Sequence, residues 1–187
     1  DVAWVRGAAG RLISKECTDS ELFVTLVEQL NTLEPSAKTS YYLGRLAEQR
    51  GEDAKAIQYY EESAERQTEP AEKAKVYYRL GENFREKGSY GRARGYYNKA
   101  VAAQPSMGIV YLRIADMYAK SANSCGDSVF NKRAIYWLAA DMAERAGRID
   151  PSLSSTAQKT AAAYRGLAPD RTMIFNAGNA GQRITFN

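Results

Sequence analysis

Residues 37–67, AKTSYYLGRLAEQRGEDAKAIQYYEESAERQ, return 37 positions later as residues 74–104, AKVYYRLGENFREKGSYGRARGYYNKAVAAQ. Ten of the thirty-one aligned positions are identical, where average composition gives roughly two. They are Ala37/Ala74, Lys38/Lys75, Tyr41/Tyr78, Leu43/Leu80, Gly44/Gly81, Gly51/Gly88, Ala56/Ala93, Tyr59/Tyr96, Tyr60/Tyr97 and Gln67/Gln104. Each copy is two helix-length segments joined at a glycine. Such a hairpin cannot bury its apolar side alone, so copies must stack.

The identities have mechanical readings. Leu43 and Leu80 anchor the first helix of each pair. Gly44 and Gly81 fall mid-helix, where glycine costs about 1 kcal/mol relative to alanine. That cost implies a close approach, for which Ala56 and Ala93 offer a small partner surface. Gly51 and Gly88 end the first helix in the left-handed conformation that glycine adopts cheaply. Tyr60 and Tyr97 are expected to fill the space between adjacent pairs, and Pro105 ends the second copy because it has no N–H to donate.

Working outward, residues 108–151 open as a third hairpin, with Tyr111, Ile114, Ala115 and Tyr118 at repeat positions. A turn-rich insertion, Ser121-Ala-Asn-Ser-Cys-Gly-Asp-Ser-Val129, interrupts it. The long second helix carries Phe130, Ala134, Leu138, Met142, Ala146 and Ile149 at three- and four-residue spacing. Residues 1–35 keep the layout without the identities. Their second helix is predicted to start at a Thr18-x-x-Glu21 capping box and to bury Leu22, Leu26, Leu30 and Leu33. A capping helix is expected over 154–165, starting at Ser155-x-x-Gln158 and covering the last face of the stack. The predicted organisation is a helical domain over 1–166, in units 1–35, 37–70, 74–107 and 108–151 plus the capping helix. A tail follows over 167–187. There Thr172-Met-Ile-Phe175 and Arg183-Ile-Thr-Phe186 flank residues 176–182 and read as a short β-hairpin, which must dock to be stable.

Composition narrows the function. The chain has no histidine, which removes His-based triads, ligands and proton shuttles. Net charge is +4, with both signs interspersed as on an ordinary solvated surface. No apolar run approaches the ~18 residues of a spanning helix, and no secretory leader is legible in residues 1–13. Cys17 and Cys125 lack metal-site spacing. Each falls in the turn of a different unit, several helix layers of about 10 Å apart, so no bond between them is expected. Asp116 and Glu82 are the nearest thing to an acid pair, and they read as solvated. No catalytic residue, metal or cofactor is expected. The tyrosine pairs could stack on bases, but repeat packing accounts for most of them and the interleaved acids oppose phosphate.

The second copy, Tyr77-x2-Leu80-Gly81-x2-Phe84 followed by Ala93, Tyr97, Ala100 and Pro105, closely resembles the tetratricopeptide-repeat (TPR) signature. The first departs at Ser40, Ala47, Ser63 and the late Pro70. The resemblance implies an all-α, right-handed solenoid of helix hairpins, with the capping helix and C-terminal β-hairpin appended. It also implies a concave groove lined by the first helices, which receives a segment of a partner protein. Projected onto this chain, that groove contains Tyr41, Arg45 and Glu48, then Tyr78, Glu82 and Arg85, then Leu112, Asp116 and Ala119, flanked by Lys75, Arg79 and Arg113. Its bias would be positive, through Arg45, Arg79, Arg85 and Arg113. The family's carboxylate clamp fits poorly, since Tyr41, Arg45, Arg79 and Ile109 replace its ligands and only Arg113 agrees. The alternative role is an assembly module that docks in a larger protein or a homo-oligomer through the tail and the long helix 130–149.

Several further segments resemble a group of TPR proteins from Bacteroidetes. They are Lys15-Glu-Cys-Thr-Asp-Ser-Glu-Leu-Phe23, Leu33-Glu-Pro-Ser-Ala37, Ser121-Ala-Asn-Ser-Cys-Gly126, Lys132-Arg-Ala-Ile-Tyr-Trp-Leu-Ala139 and Ile149-Asp-Pro-Ser-Leu-Ser154. That resemblance implies a protein partner, a periplasmic or cell-envelope location, and a longer protein with further repeats upstream and a few residues beyond Asn187.

Overall fold

The computed structural model describes residues 1–18, 20–178 and 181. Its regular elements are all helical, and they fall into two compact units, Asp1–Gln104 and Pro105–Asn187.

The first unit holds α1 (Val2–Ser14), α2 (Glu21–Leu33), α3 (Ala37–Gln49), α4 (Asp53–Arg66), α5 (Pro70–Glu86) and α6 (Tyr90–Ala103), each packed on the next. The two copies of the repeat are the hairpins α3–α4 and α5–α6. Gly51 and Gly88 have the same φ of +71° and end α3 and α5, as the glycine spacing predicts. Ser36 opens α3 with a reciprocal cap, its hydroxyl accepting from Thr39 N while Thr39 accepts from Ser36 N. Pro70 opens α5 rather than closing the preceding unit, in the first turn where its missing N–H costs nothing.

The mid-helix glycines have a different partner from the one the sequence suggests. Tyr60 and Tyr97 are fully buried, and each ring packs against the glycine of its own hairpin, while Tyr60 also packs with Val76 and Leu80 of the next hairpin, as expected. A Cβ on Gly44 would lie 2.7 Å from the Tyr60 ring, and one on Gly81 would lie closer still to Tyr97. The glycines are therefore seats for tyrosine rings, with Ala56 and Ala93 buried beside them.

At the N-terminal hairpin two expectations are corrected. Ser20, not Thr18, caps α2, accepting from Phe23 N at 3.2 Å. The buried face is Phe23, Val24, Leu26, Val27 and Leu30, while Leu22 and Leu33 are exposed. Phe23 sets this phase by meeting the Tyr42 ring edge-on at 5.5 Å, which turns Leu22 outward.

The second unit contains α7 (Ile109–Ser121), α8 (Val129–Ile149), α9 (Ser154–Leu167) and α10 (Arg171–Asn176). Helices α7, α8 and α9 pack in sequence on an alanine seam of Ala115, Ala140, Ala143 and Ala161. Before α9, Asp150 caps a 3-10 turn over Pro151–Leu153, and α9 has no side-chain cap of its own. The predicted Ser155 cap is thus replaced by an upstream aspartate. Arg133 holds the far end of α9, donating from Nε to Leu167 O at 2.7 Å and from Nη2 to Ala168 O at 3.3 Å.

The first arm of the predicted β-hairpin is helical. Asp170 accepts from Met173 N at 2.8 Å and starts α10, and Gly178, with φ +67°, follows it. A local cap overrides the β propensity of Thr172, Ile174 and Phe175. Residues 183–186, the other arm, lie outside the described residues.

The seat is testable with one methyl group. Gly81→Ala gains helix propensity but collides with Tyr97, and a net loss of about 1–3 kcal/mol is expected. Gly95→Ala, whose Cβ meets nothing within 4 Å, should instead gain up to about 1 kcal/mol. Urea midpoints that move the same way for both would remove the seat from the account.

Candidate functional site

Helices α1, α3 and α5 are the first helices of the three hairpins in the first unit, and most predicted binding residues lie on them. Glu48 of α3 accepts hydrogen bonds from Tyr60 Oη at 2.9 Å, Asn83 Nδ2 at 3.0 Å and Arg79 Nε at 3.0 Å, and it pairs with Arg79 Nη2 as well. One carboxylate therefore ties α3 to α4 and, through Arg79 and Asn83, to α5. Burial works against its charge, but the bonds from Asn83, Arg79 and Tyr60 outweigh that effect and hold the carboxyl below its ordinary range. Burial and the adjacent Glu48 carboxylate raise the Tyr60 hydroxyl well above its usual value.

In the second copy the charges exchange places. Arg45 and Glu48 become Glu82 and Arg85. The Tyr97 hydroxyl donates to Glu82, and Arg85 closes on the same carboxylate through Nε at 3.1 Å and Nη2 at 3.2 Å. Glu82 and Asn83 are buried. Each seated tyrosine thus finds an acid, one helical turn apart in the two copies.

These contacts change the reading of the predicted groove. Glu48 and Arg79 pair between helices and Glu82 and Arg85 pair within α5, so the positive charge of Arg79 and Arg85 is matched by a neighbouring carboxylate. Tyr78 packs on Tyr97 with ring centroids 5.8 Å apart. Arg45 is exposed beside Phe23 and Tyr42 and forms no salt bridge with any described residue.

Two adjoining hollows remain on this side. One, of 450 Å³, lies among α1, α2 and α3, where Ala9, Ile13, Val27 and Leu30 present apolar surface. Arg6 pairs with Glu34 at its edge. The other, of 370 Å³, lies among α3, α4 and α5 and includes the predicted Tyr41 and Lys75, with Lys75 paired to Glu72. Lys38 and Tyr42 line both hollows. They were not among the predicted site residues, although the Lys38/Lys75 identity in the repeat marks that position.

In the second unit, Leu112 packs against the alanine seam. Asp116 pairs with Lys120 at 3.0 Å, and Arg113 is half-buried and engaged by other groups. Among the described residues no cluster of acids and cysteines could hold a metal ion, and no helix is long and apolar enough to cross a membrane. The arrangement offers recognition through shape, apolar contact and charge.

Residues 74–107 match the tetratricopeptide-repeat family model, a stretch that takes in α6 and most of α5. No curated protein matches the chain. Tetratricopeptide repeats generally mediate protein–protein interaction and are typically non-enzymatic, in keeping with the surface they present when stacked.

The Glu48 staple carries a pH signature. A carboxyl with a depressed folded-state pKa adds stability above its unfolded pKa, about 4.3, and that stability is lost as pH falls through the folded value. At pH 7, Glu48→Gln should cost about 1–3 kcal/mol. The gap from wild type should shrink steadily below pH 4.5 in urea titrations. A gap independent of pH would show that the carboxylate charge contributes nothing.

Proposed function

We propose that this protein is a binding module whose first unit holds a segment of a partner protein along α1, α3 and α5. The observation that carries this reading is the pair of hollows joined at Lys38 and Tyr42. Their apolar and aromatic walls suit side chains of an extended segment. Lys38 forms no salt bridge with any described residue and is exposed, so an acidic group on the partner is the complementary feature. Arg45 extends the same positive edge. Glu48, Arg79, Glu82 and Arg85 hold the helices that form the walls.

A second reading is supported by unpartnered apolar side chains in the second unit. Val129, Leu167 and Phe175 are 68%, 48% and 80% exposed, and they suit an assembly role through the long helix and the tail. In that case the first unit's hollows are idle.

The discriminating bait is Lys38→Glu/Lys75→Glu, because both lysines are exposed and substituting them leaves the Glu48 and Glu82 staples intact. Captured proteins should fall at least tenfold relative to wild type, with the urea midpoint unchanged. Equal capture by both baits, lost instead on Phe175→Ser, would favour the assembly reading.

A further inference from the structure

A separate cleft of 490 Å³ lies on the side of the first unit formed by the second helices of the hairpins, between α4 and α6. Phe84 and Tyr96 stack there, with centroids 5.4 Å apart and planes 3° from parallel. Tyr96 donates its hydroxyl to Glu61, which fixes the ring. Ile57 faces the aromatic pair, and Gly95 leaves the wall open, since a Cβ there would meet nothing within 4 Å.

Two cations flank this surface. The Arg92 guanidinium is 5.5 Å from the Phe84 ring centre. Lys99 Nζ is 4.9 Å from the Tyr96 centre and 5.6 Å from that of Tyr77. Neither forms a salt bridge with any described residue. The corresponding positions of the first copy are built differently. Lys55 pairs there with Glu52 at 2.6 Å, and Gln58 stands where the second copy has Gly95. Glu62 stands where it has Lys99, and it receives bonds from Gln58 at 3.1 Å and Arg66 at 3.0 Å. At these positions the first copy pairs its charges with neighbours on the same helix end or face, whereas the second leaves an aromatic cleft with two exposed cations. Repeat packing does not require that difference.

We infer that the α4–α6 cleft docks an extended acidic segment of a protein partner, with one apolar or aromatic side chain seated on Phe84 and Tyr96 and carboxylates reaching Arg92 and Lys99. The two cations are seven residues apart on α6, or about 10 Å. A polyproline II segment repeats its face every three residues, about 9 Å. The fitting pattern is therefore two acids three positions apart with an apolar residue between them. The site is independent of the α1, α3 and α5 face.

The test is selection of a random peptide library, displayed on phage, against the full chain. The enriched peptides are then titrated by fluorescence anisotropy. Enrichment of acids three apart is expected, with at least tenfold weaker binding to Gly95→Leu, which fills the cleft from an open helix position. Arg92→Glu/Lys99→Glu should weaken binding as much, and Lys38→Glu/Lys75→Glu should leave it unchanged. The inference is overturned if no acidic pattern emerges, or if the selected peptides respond to the Lys38 and Lys75 changes and not to Gly95→Leu. It is also overturned if an oligothymidylate binds the cleft, lost on Arg92→Glu/Lys99→Glu, while no peptide does.

Discussion

In both copies of the repeat, a tyrosine ring from the second helix packs on the bare Cα of a glycine in the first, and its hydroxyl donates to a carboxylate on that same helix. A buried aromatic side chain removes roughly 150–250 Å² from water. At about 25 cal/mol per Å², each ring contributes on the order of 4 kcal/mol. The glycine is what permits this depth, because any Cβ at Gly44 or Gly81 would occupy the ring's place. The hydroxyl then needs a partner, since an unpaired buried O–H costs about as much as a hydrogen bond is worth. Glu48 and Glu82 meet that need. Their own charges call in Arg79, Asn83 and Arg85, and this chain of requirements fixes the spacing of α3, α4, α5 and α6.

It also decides which charges are left to act on other molecules. Arg79 and Arg85 look like binding residues by position, but they are consumed in holding the helices. Lys38, Arg45, Arg92 and Lys99 form no salt bridge among the described residues. They divide between two surfaces, one on the first helices and one on the second. The first unit can therefore present two cationic, partly aromatic faces without any change in its core.

Much of the fold was legible in the sequence because the repeat is periodic. The identities at Gly51/Gly88 and Leu43/Leu80 follow from local rules about helix ends and apolar anchors, and both appear in the structure as expected. The seat for Tyr60 and Tyr97 was only half legible. Sequence marks the glycines as places of close approach but does not say which side chain approaches. The α2 cap was misplaced by two residues because Thr18 and Ser20 are both competent caps, and Phe23 decided between them through Tyr42. Residues 172–175 are β-prone in composition, yet a single aspartate just ahead of them caps a helix there. The candidate site was least legible. Position on a helix face can be projected from a repeat, but ion pairing between helices cannot, so Arg79 and Lys38 were indistinguishable until their neighbours were known.

The central claim is that Glu48 and Arg79 act on each other to hold α3 to α5, and a double-mutant cycle measures this directly. Glu48→Gln, Arg79→Gln and the double variant should give a coupling of about 1–2 kcal/mol in urea denaturation at pH 7, within the usual range for groups in one network. Additive effects, with a coupling near zero, would contradict the account and return Arg79 to the surface as a residue free to bind.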